Sequence, residues 1–154
     1  MTIDNATKEL VRKRANYLCE YCHSWERISA TRFTVDHVKP KSLAGSDDSD
    51  NLALACRRCN ERRYNFVTGI DHQTQSKVSI FNPRKQIWSE HFTWSLDGRT
   101  IIGTTPIGRA TCERLDLNDE RYPIDDSIRS ARGFWVIAGL HPPDQDPRES
   151  PETE

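Results

Sequence analysis

Cys19 and Cys22 form one Cys-x-x-Cys pair, and Cys56 and Cys59 form another. A two-residue gap lets neighbouring thiolates converge on one tetrahedral Zn²⁺, each at about 2.3 Å, so the two pairs together predict a structural Cys₄ zinc site. The competing use of the same residues is two disulfides. The stretch from Met1 to Leu18 is too polar for a secretory leader, which points to a reducing compartment where disulfides rarely persist. A thioredoxin-like redox role lacks its βαβ surroundings at either pair. His23, just after the first pair, is an alternative ligand, although four thiolates already fill the shell. Cys112 falls on an apolar helical face and reads as an inert thiol. The 33 residues between Cys22 and Cys56 exceed the about 15 to 20 of a zinc ribbon, so further structure must be built between the knuckles.

Inside that insertion stand Asp36 and His37, then Asn51, and Asn60 follows the second knuckle at once. In a hairpin followed by a crossing helix, a strand end and a helix start face each other across one small cavity, which could hold a divalent cation. A hard cation such as Mg²⁺ takes oxygen ligands and keeps several waters, so the Asp36 carboxylate and the Asn60 amide oxygen suffice beside phosphate oxygens. His37 then stays off the metal, and a neutral imidazole near pH 7 is suited to taking a proton from water. A backbone carbonyl accepting from one ring nitrogen is the common way to orient such a base, and Asn51 is placed to fix the loop that presents it. Arg57, Arg58, Arg62 and Arg63 surround Asn60, with Lys39 and Lys41 opposite, as candidate phosphate contacts. The other meaning of such a charge run is a solvated helix face.

The pattern Cys19-x-x-Cys22, Val35-Asp36-His37-x-x-Pro40, Asn51-Leu52 and Cys56-x-x-Cys59-Asn60 resembles the HNH endonuclease family, over about Tyr17 to Phe66. The gaps of fourteen from His37 to Asn51 and nine from Asn51 to Asn60 also look like those of the HNH domain in RNA-guided CRISPR effectors. The resemblance implies a ββα-metal fold, cleavage of DNA to 5′-phosphate and 3′-hydroxyl ends, His37 as general base and a structural Asn51. It further implies a catalytic cation on Asp36 and Asn60, and a separate structural zinc on the cysteines. The family's final His is Asn60 here, which favours Mg²⁺ or Mn²⁺ over softer ions. The usual Gly-Gly of the loop is Ala44-Gly45, and the usual Lys after Asn60 is Arg63. The alternative function is a non-catalytic zinc module that binds nucleic acid or a protein partner; a nuclease specific for RNA or structured DNA is a third.

The elements that must position these groups are legible in outline. Thr7 to Leu18 reads as an amphipathic helix with Asp4, Asn5 or Thr7 as cap; Leu10, Val11, Ala15 and Leu18 share one side, and Arg12, Lys13 and Arg14 lie largely on another. Arg32 to Val35 and Asn51 to Ala55 suggest strands, Lys39 to Asp50 a loop, and Arg58 to Val67 a helix stopped by Gly69. Beyond it, Lys77 to Asn82 and His91 to Ser95 alternate like strands, with a turn at Asp97-Gly98 before Ile101. Ile107 to Leu117 and Asp125 to Val136 read as helices. From Phe81 the chain resembles the C-terminal region of a subgroup of small bacterial HNH proteins, for which no activity is implied; Arg99, Arg109 and Arg114 there are possible extensions of a DNA surface. Trp88, Trp94 and Trp135 are expected to pack its core, and His72, His91 and His141 to be structural or exposed.

The expected class is therefore α+β: an HNH unit over residues 1–70, a small α+β extension over 71–140, and an acidic, disordered tail over 141–154. The formal net charge of -1 conceals an uneven distribution. Lys8 to Arg63 holds twelve basic against eight acidic residues, whereas Asp144 to Glu154 holds one against five. The basic front half suits DNA as partner. No apolar run could span a bilayer, so a cytoplasmic protein, monomer or homodimer, is expected.

Overall fold

The computed structural model describes residues 2–144. The first helix, α1 (Asn5–Arg14), is capped by Asp4, whose carboxylate accepts from Thr7 N at 2.8 Å. It stops short of the expected Leu18 because Asn16 and Tyr17 take φ of 55° and 59°, and Leu18 instead bridges to Trp25. Val11 and Ala15 are buried as the pattern requires. The basic face is not simply solvated: Arg12 pairs with Glu26 at 3.1 Å and donates to Phe33 O, while Arg14 donates to Ser49 O and Leu52 O. Two arginines of α1 thus tie the helix to the strand pair below it.

That pair is β1 (Thr34–His37) against β2 (Leu52–Ala55), antiparallel with Asp36 opposite Ala53 and His37 opposite Leu52. Residues 49–51 form a helical turn rather than the start of the strand. All four residues of β2 are buried, which its Leu-Ala-Leu-Ala sequence tolerates on both faces. Then α2 (Arg57–Arg63) begins at Cys56, whose sulfur accepts from Cys59 N at 3.4 Å, and completes a ββα unit.

The helix ends at Arg63, not Val67, because Tyr64 leaves the helical region at φ 48°, ψ −117°. Thr68 to Asp71 is a strand, β3, paired with β4 (Ser76–Ser79), so this hairpin straddles residue 70. Gly69, read above as a helix stop, is a packing glycine: a Cβ there would lie 3.2 Å from Ala110 O. Further on come β5 (Phe92–Trp94) and β6 (Ile101–Gly103), joined through a turn in which Gly98 has φ 73°. Two helices follow. Thr105 and a first-turn proline start α3 (Pro106–Arg114), and Ser127 caps α4 (Ile128–Ile137).

The chain is α+β, with three two-stranded ribbons and four helices among the described residues. One hydrophobic cluster joins Val11, Leu52 and Leu54 to Phe81, Trp88, Phe92 and Leu117, so the extension packs directly on the ββα unit. The residues that the sequence assigns to an acidic tail lie mostly outside the described range, from 145 onward. No helix among the described residues is long and apolar enough to cross a membrane.

His141 closes this core, edge-on to Trp94 at 4.4 Å, with Nε2 donating to Gly98 O at 3.0 Å. Burial, assisted by the positive charge of Arg132, pushes its pKa from 6.5 down to about 4. The unfolded chain therefore takes up this proton below about pH 6.5, whereas the folded protein resists until about pH 4. Stability is complete above that window and declines as pH falls through it. His141→Phe should melt with a shallower dependence on pH between about 6.5 and 4; identical slopes for variant and wild type would remove His141 from the account.

Candidate active site and metal centre

All four knuckle sulfurs are buried and lie within 4.8 Å of one another. Cys22 Sγ and Cys56 Sγ are 3.7 Å apart, close to the about 3.8 Å edge of a tetrahedron with 2.3 Å zinc–sulfur bonds. The cluster could hold one zinc ion, and its four soft donors fit that metal. Hydrogen bonds from Cys19, Cys56 and Cys59 hold the Cys22 thiol well below its ordinary range. Burial pushes Cys19 the other way. Cys112 is not part of the cluster, and burial raises it to about 12, as suits an unreactive thiol. His23 is not among the ligands; it stacks on Trp88 at 4.2 Å.

Charge around the sulfurs comes from Arg132, which sequence spacing did not pick out, and from Arg58, which it offered as a phosphate contact. Arg132, fully buried, donates to Arg99 O, Asn118 Oδ1 and Leu117 O, and its positive charge acts on Cys22 and Cys59. Arg58 acts on the same two sulfurs. The first knuckle is also braced from both sides. Glu20 N donates to Leu54 O at 2.8 Å, the Glu20 carboxylate accepts from Leu54 N at 2.9 Å and pairs with Arg84, and Trp88 Nε1 donates to Tyr21 O.

At the far end of β1, Asn51 spans the following loop. Its Oδ1 accepts from Lys39 N at 2.9 Å, while Nδ2 donates to Lys39 O at 3.1 Å and to Ser46 O at 2.8 Å. Gly45 makes this closure possible, since a Cβ there would sit 1.7 Å from Lys39 O. The companion Ala44 tolerates φ 65°, so one glycine suffices. The loop so shaped brings Asp47 back to His37: Nε2 lies 2.7 Å from Asp47 Oδ1. Lys41 supports the same carboxylate at 3.2 Å. Hydrogen bonds from His37 and then Lys41 hold Asp47 below the usual carboxylate range. The signal for Asp47 was only an acidic residue in a loop.

Arg63 connects this strand end to α2. It is 2% exposed, pairs with Asp36 at 2.7 Å, and donates to His37 O at 2.6 Å and to Val38 O. Burial pushes the Asp36 carboxyl up, against the pull of that guanidinium. Asn60 precedes Arg63 by three residues and shares its helix face, the one turned to β1. Its side-chain amide makes no hydrogen bond among the described residues, which leaves the oxygen available to a cation. A half-open cleft of about 490 Å³ adjoins, lined by Tyr21, Lys39, Asn51, Arg63, Phe81 and Lys85 among others.

The expected phosphate contacts need correction. Arg63 is locked to Asp36 and two carbonyls, and is not an outer grip. Arg58 and Arg62 both pair with Asp119, at 2.7 and 2.8 Å, and tie α2 to the segment after α3. Arg57 is exposed and, among the described residues, pairs only with Glu61, one turn on. Lys39 is exposed, with no ion pair among the described residues. In the extension, Arg109 is taken by Asp71, whereas Arg114 lies over Phe66.

Comparison with known families matches residues 19–66 to the HNH endonuclease family, the stretch that runs from the first zinc knuckle to the end of the α2 connection. Comparisons with curated proteins and with solved structures found no match.

Proposed function

We propose that this HNH domain is a metal-dependent endonuclease that hydrolyses phosphodiester bonds in DNA, with His37 as general base. The observation that carries the reading is the contact between His37 Nε2 and Asp47. An ionised carboxylate only accepts, so Nε2 carries the proton and Nδ1 keeps its lone pair. A binding module needs no imidazole held in one tautomer.

Nδ1 then takes a proton from a water in line with the scissile bond; the oxygen so activated adds to phosphorus, and the 3′-oxygen leaves and takes up a proton from solvent water, giving 5′-phosphate and 3′-hydroxyl ends. Asp36 and Asn60 would hold Mg²⁺ or Mn²⁺, a choice their hard oxygens favour, and such an ion when bound stabilises charge on phosphate and leaving oxygen. Arg63 fixes the Asp36 carboxylate and the carbonyls of His37 and Val38. Asn51 holds the loop that delivers Asp47. Lys39, Lys41 and Arg57 are the basic side chains open to phosphates, and zinc on the four cysteines supports the frame.

Nicking of supercoiled plasmid tests this. The wild type should nick with added Mg²⁺ or Mn²⁺ and not without. Asn60→Ala should nick about 10- to 100-fold more slowly at a fixed cation concentration, and recover in part when more cation is supplied. Salt-sensitive DNA binding with no nicking under any divalent ion would instead establish the non-catalytic module.

A further inference from the structure

Immediately beyond the candidate site, two aromatic rings stand in solvent. Tyr64 is 69% and Phe66 43% exposed, and their rings meet edge to face at 6.4 Å. Arg114, at the end of α3, lays its guanidinium 3.9 Å over Phe66 and makes no ion pair among the described residues. Tyr64 follows Arg63 directly, and its amide donates to Asn60 O at 3.1 Å, so the rings sit at the end of the helix that carries the proposed cation ligand.

Packing does not account for this arrangement. The Tyr64 backbone at φ 48°, ψ −117° is one that residues with a Cβ rarely adopt and that glycine would take freely. A helix stop alone is better served by glycine. The sequence instead has a large ring here and leaves most of it in water, as expected where strain serves a site.

We propose that Tyr64 and Phe66 form a stacking platform for an unpaired base of the DNA next to the cut, with Arg114 taking a phosphate of the same strand. The identity of the ligand rests on the nuclease reading above. Every base offers a flat π-face to an exposed ring, and a guanidinium without a carboxylate partner has a donor fork that matches phosphate. Bases inside an intact duplex stack on each other and do not reach such rings. The platform therefore selects single-stranded or locally opened DNA.

Fluorescence anisotropy with a short oligodeoxythymidylate and a matched perfect duplex tests it, using full-length His37→Ala protein without added Mg²⁺ so that cleavage does not intervene. Tyr64→Leu and Phe66→Leu should each weaken single-strand binding about 10-fold and duplex binding by less than about threefold. Tyr64→Trp should keep the affinity. Tyr64→Gly should lose it while its melting temperature holds or rises, a combination that a purely structural tyrosine does not give. Arg114→Gln should flatten the salt dependence by about one phosphate contact. The platform is overturned by single-strand affinity unchanged in the leucine variants, by equal losses on duplex, or by no single-strand binding at all. Ring-dependent binding in a protein that never nicks would sink the nuclease reading alone; nicking with ring-independent binding would sink the platform alone.

Discussion

Cys56→Ser is expected to abolish cooperative folding of the full chain, not merely to lower its melting point. Apparent zinc binding energies in Cys-rich domains are about 10–16 kcal/mol near pH 7, as large as the whole stability of an ordinary domain at about 5–15 kcal/mol. The substitution acts at a junction. Cys56 follows β2 directly, its sulfur caps α2, and it sits 3.7 Å from Cys22 on the opposite knuckle. Loss of one ligand should therefore loosen the strand pair, the helix with Asn60 and Arg63, and the guanidiniums of half-buried Arg58 and fully buried Arg132, whose positive charge acts on Cys22 and Cys59. Arg132 has no solvent to fall back on. Elemental analysis should find about one zinc per wild-type chain and almost none in Cys56→Ser. Circular dichroism on heating should show a sharp transition only in the former. Cys112→Ser is the control, since that half-buried thiol lies outside the sulfur cluster, donates to Ile101 O, and should leave zinc content unchanged. A Cys56→Ser protein that melts like the wild type would remove zinc from the folding account.

The ββα unit was readable because its determinants are local. Knuckle spacing and the strand ending in Asp36-His37 each depend on neighbours in sequence, and the structure places them accordingly. The misreadings arose where long-range packing decides. Gly69 looked like a helix stop, yet it sits in a strand because α3 comes within a Cβ of it. The arginines of α2 looked like one basic face, but the pitch of the helix sends Arg63 inward to Asp36 and turns Arg58 and Arg62 toward Asp119, nearly sixty residues on. A carboxylate that distant leaves no mark in the local pattern of charges. Arg132 is the extreme case: α4 buries Arg132 and Gly133 while Phe134 and Ile137 face outward at 69% and 81% exposure. Hydrophobic periodicity would have turned that helix around.

Asp47 was missed for a related reason, and it yields the second large effect. His37→Ala should slow nicking by about 10²–10⁴-fold, the usual contribution of a positioned general base. Asp47→Asn should cost about 10- to 100-fold, because an amide can present its NH₂ to Nε2 and draw the imidazole into the tautomer whose Nδ1 carries the proton. The loss should fall on kcat with little change in KM, since Asp47 contacts His37 and no part of the DNA in this reading. Stability should barely move. The Asp47 side chain is 34% exposed and its loop is closed by Asn51, not by the ion pair with Lys41. The double variant separates positioning from an independent role: if Asp47 works only through His37, adding Asp47→Asn to His37→Ala costs nothing further. A double variant slower than His37→Ala by the full single-variant factor would show that Asp47 acts by another route. Wild-type nicking by Asp47→Asn, with His37→Ala inactive, would leave the imidazole as base but remove the carboxylate that is proposed to set its tautomer.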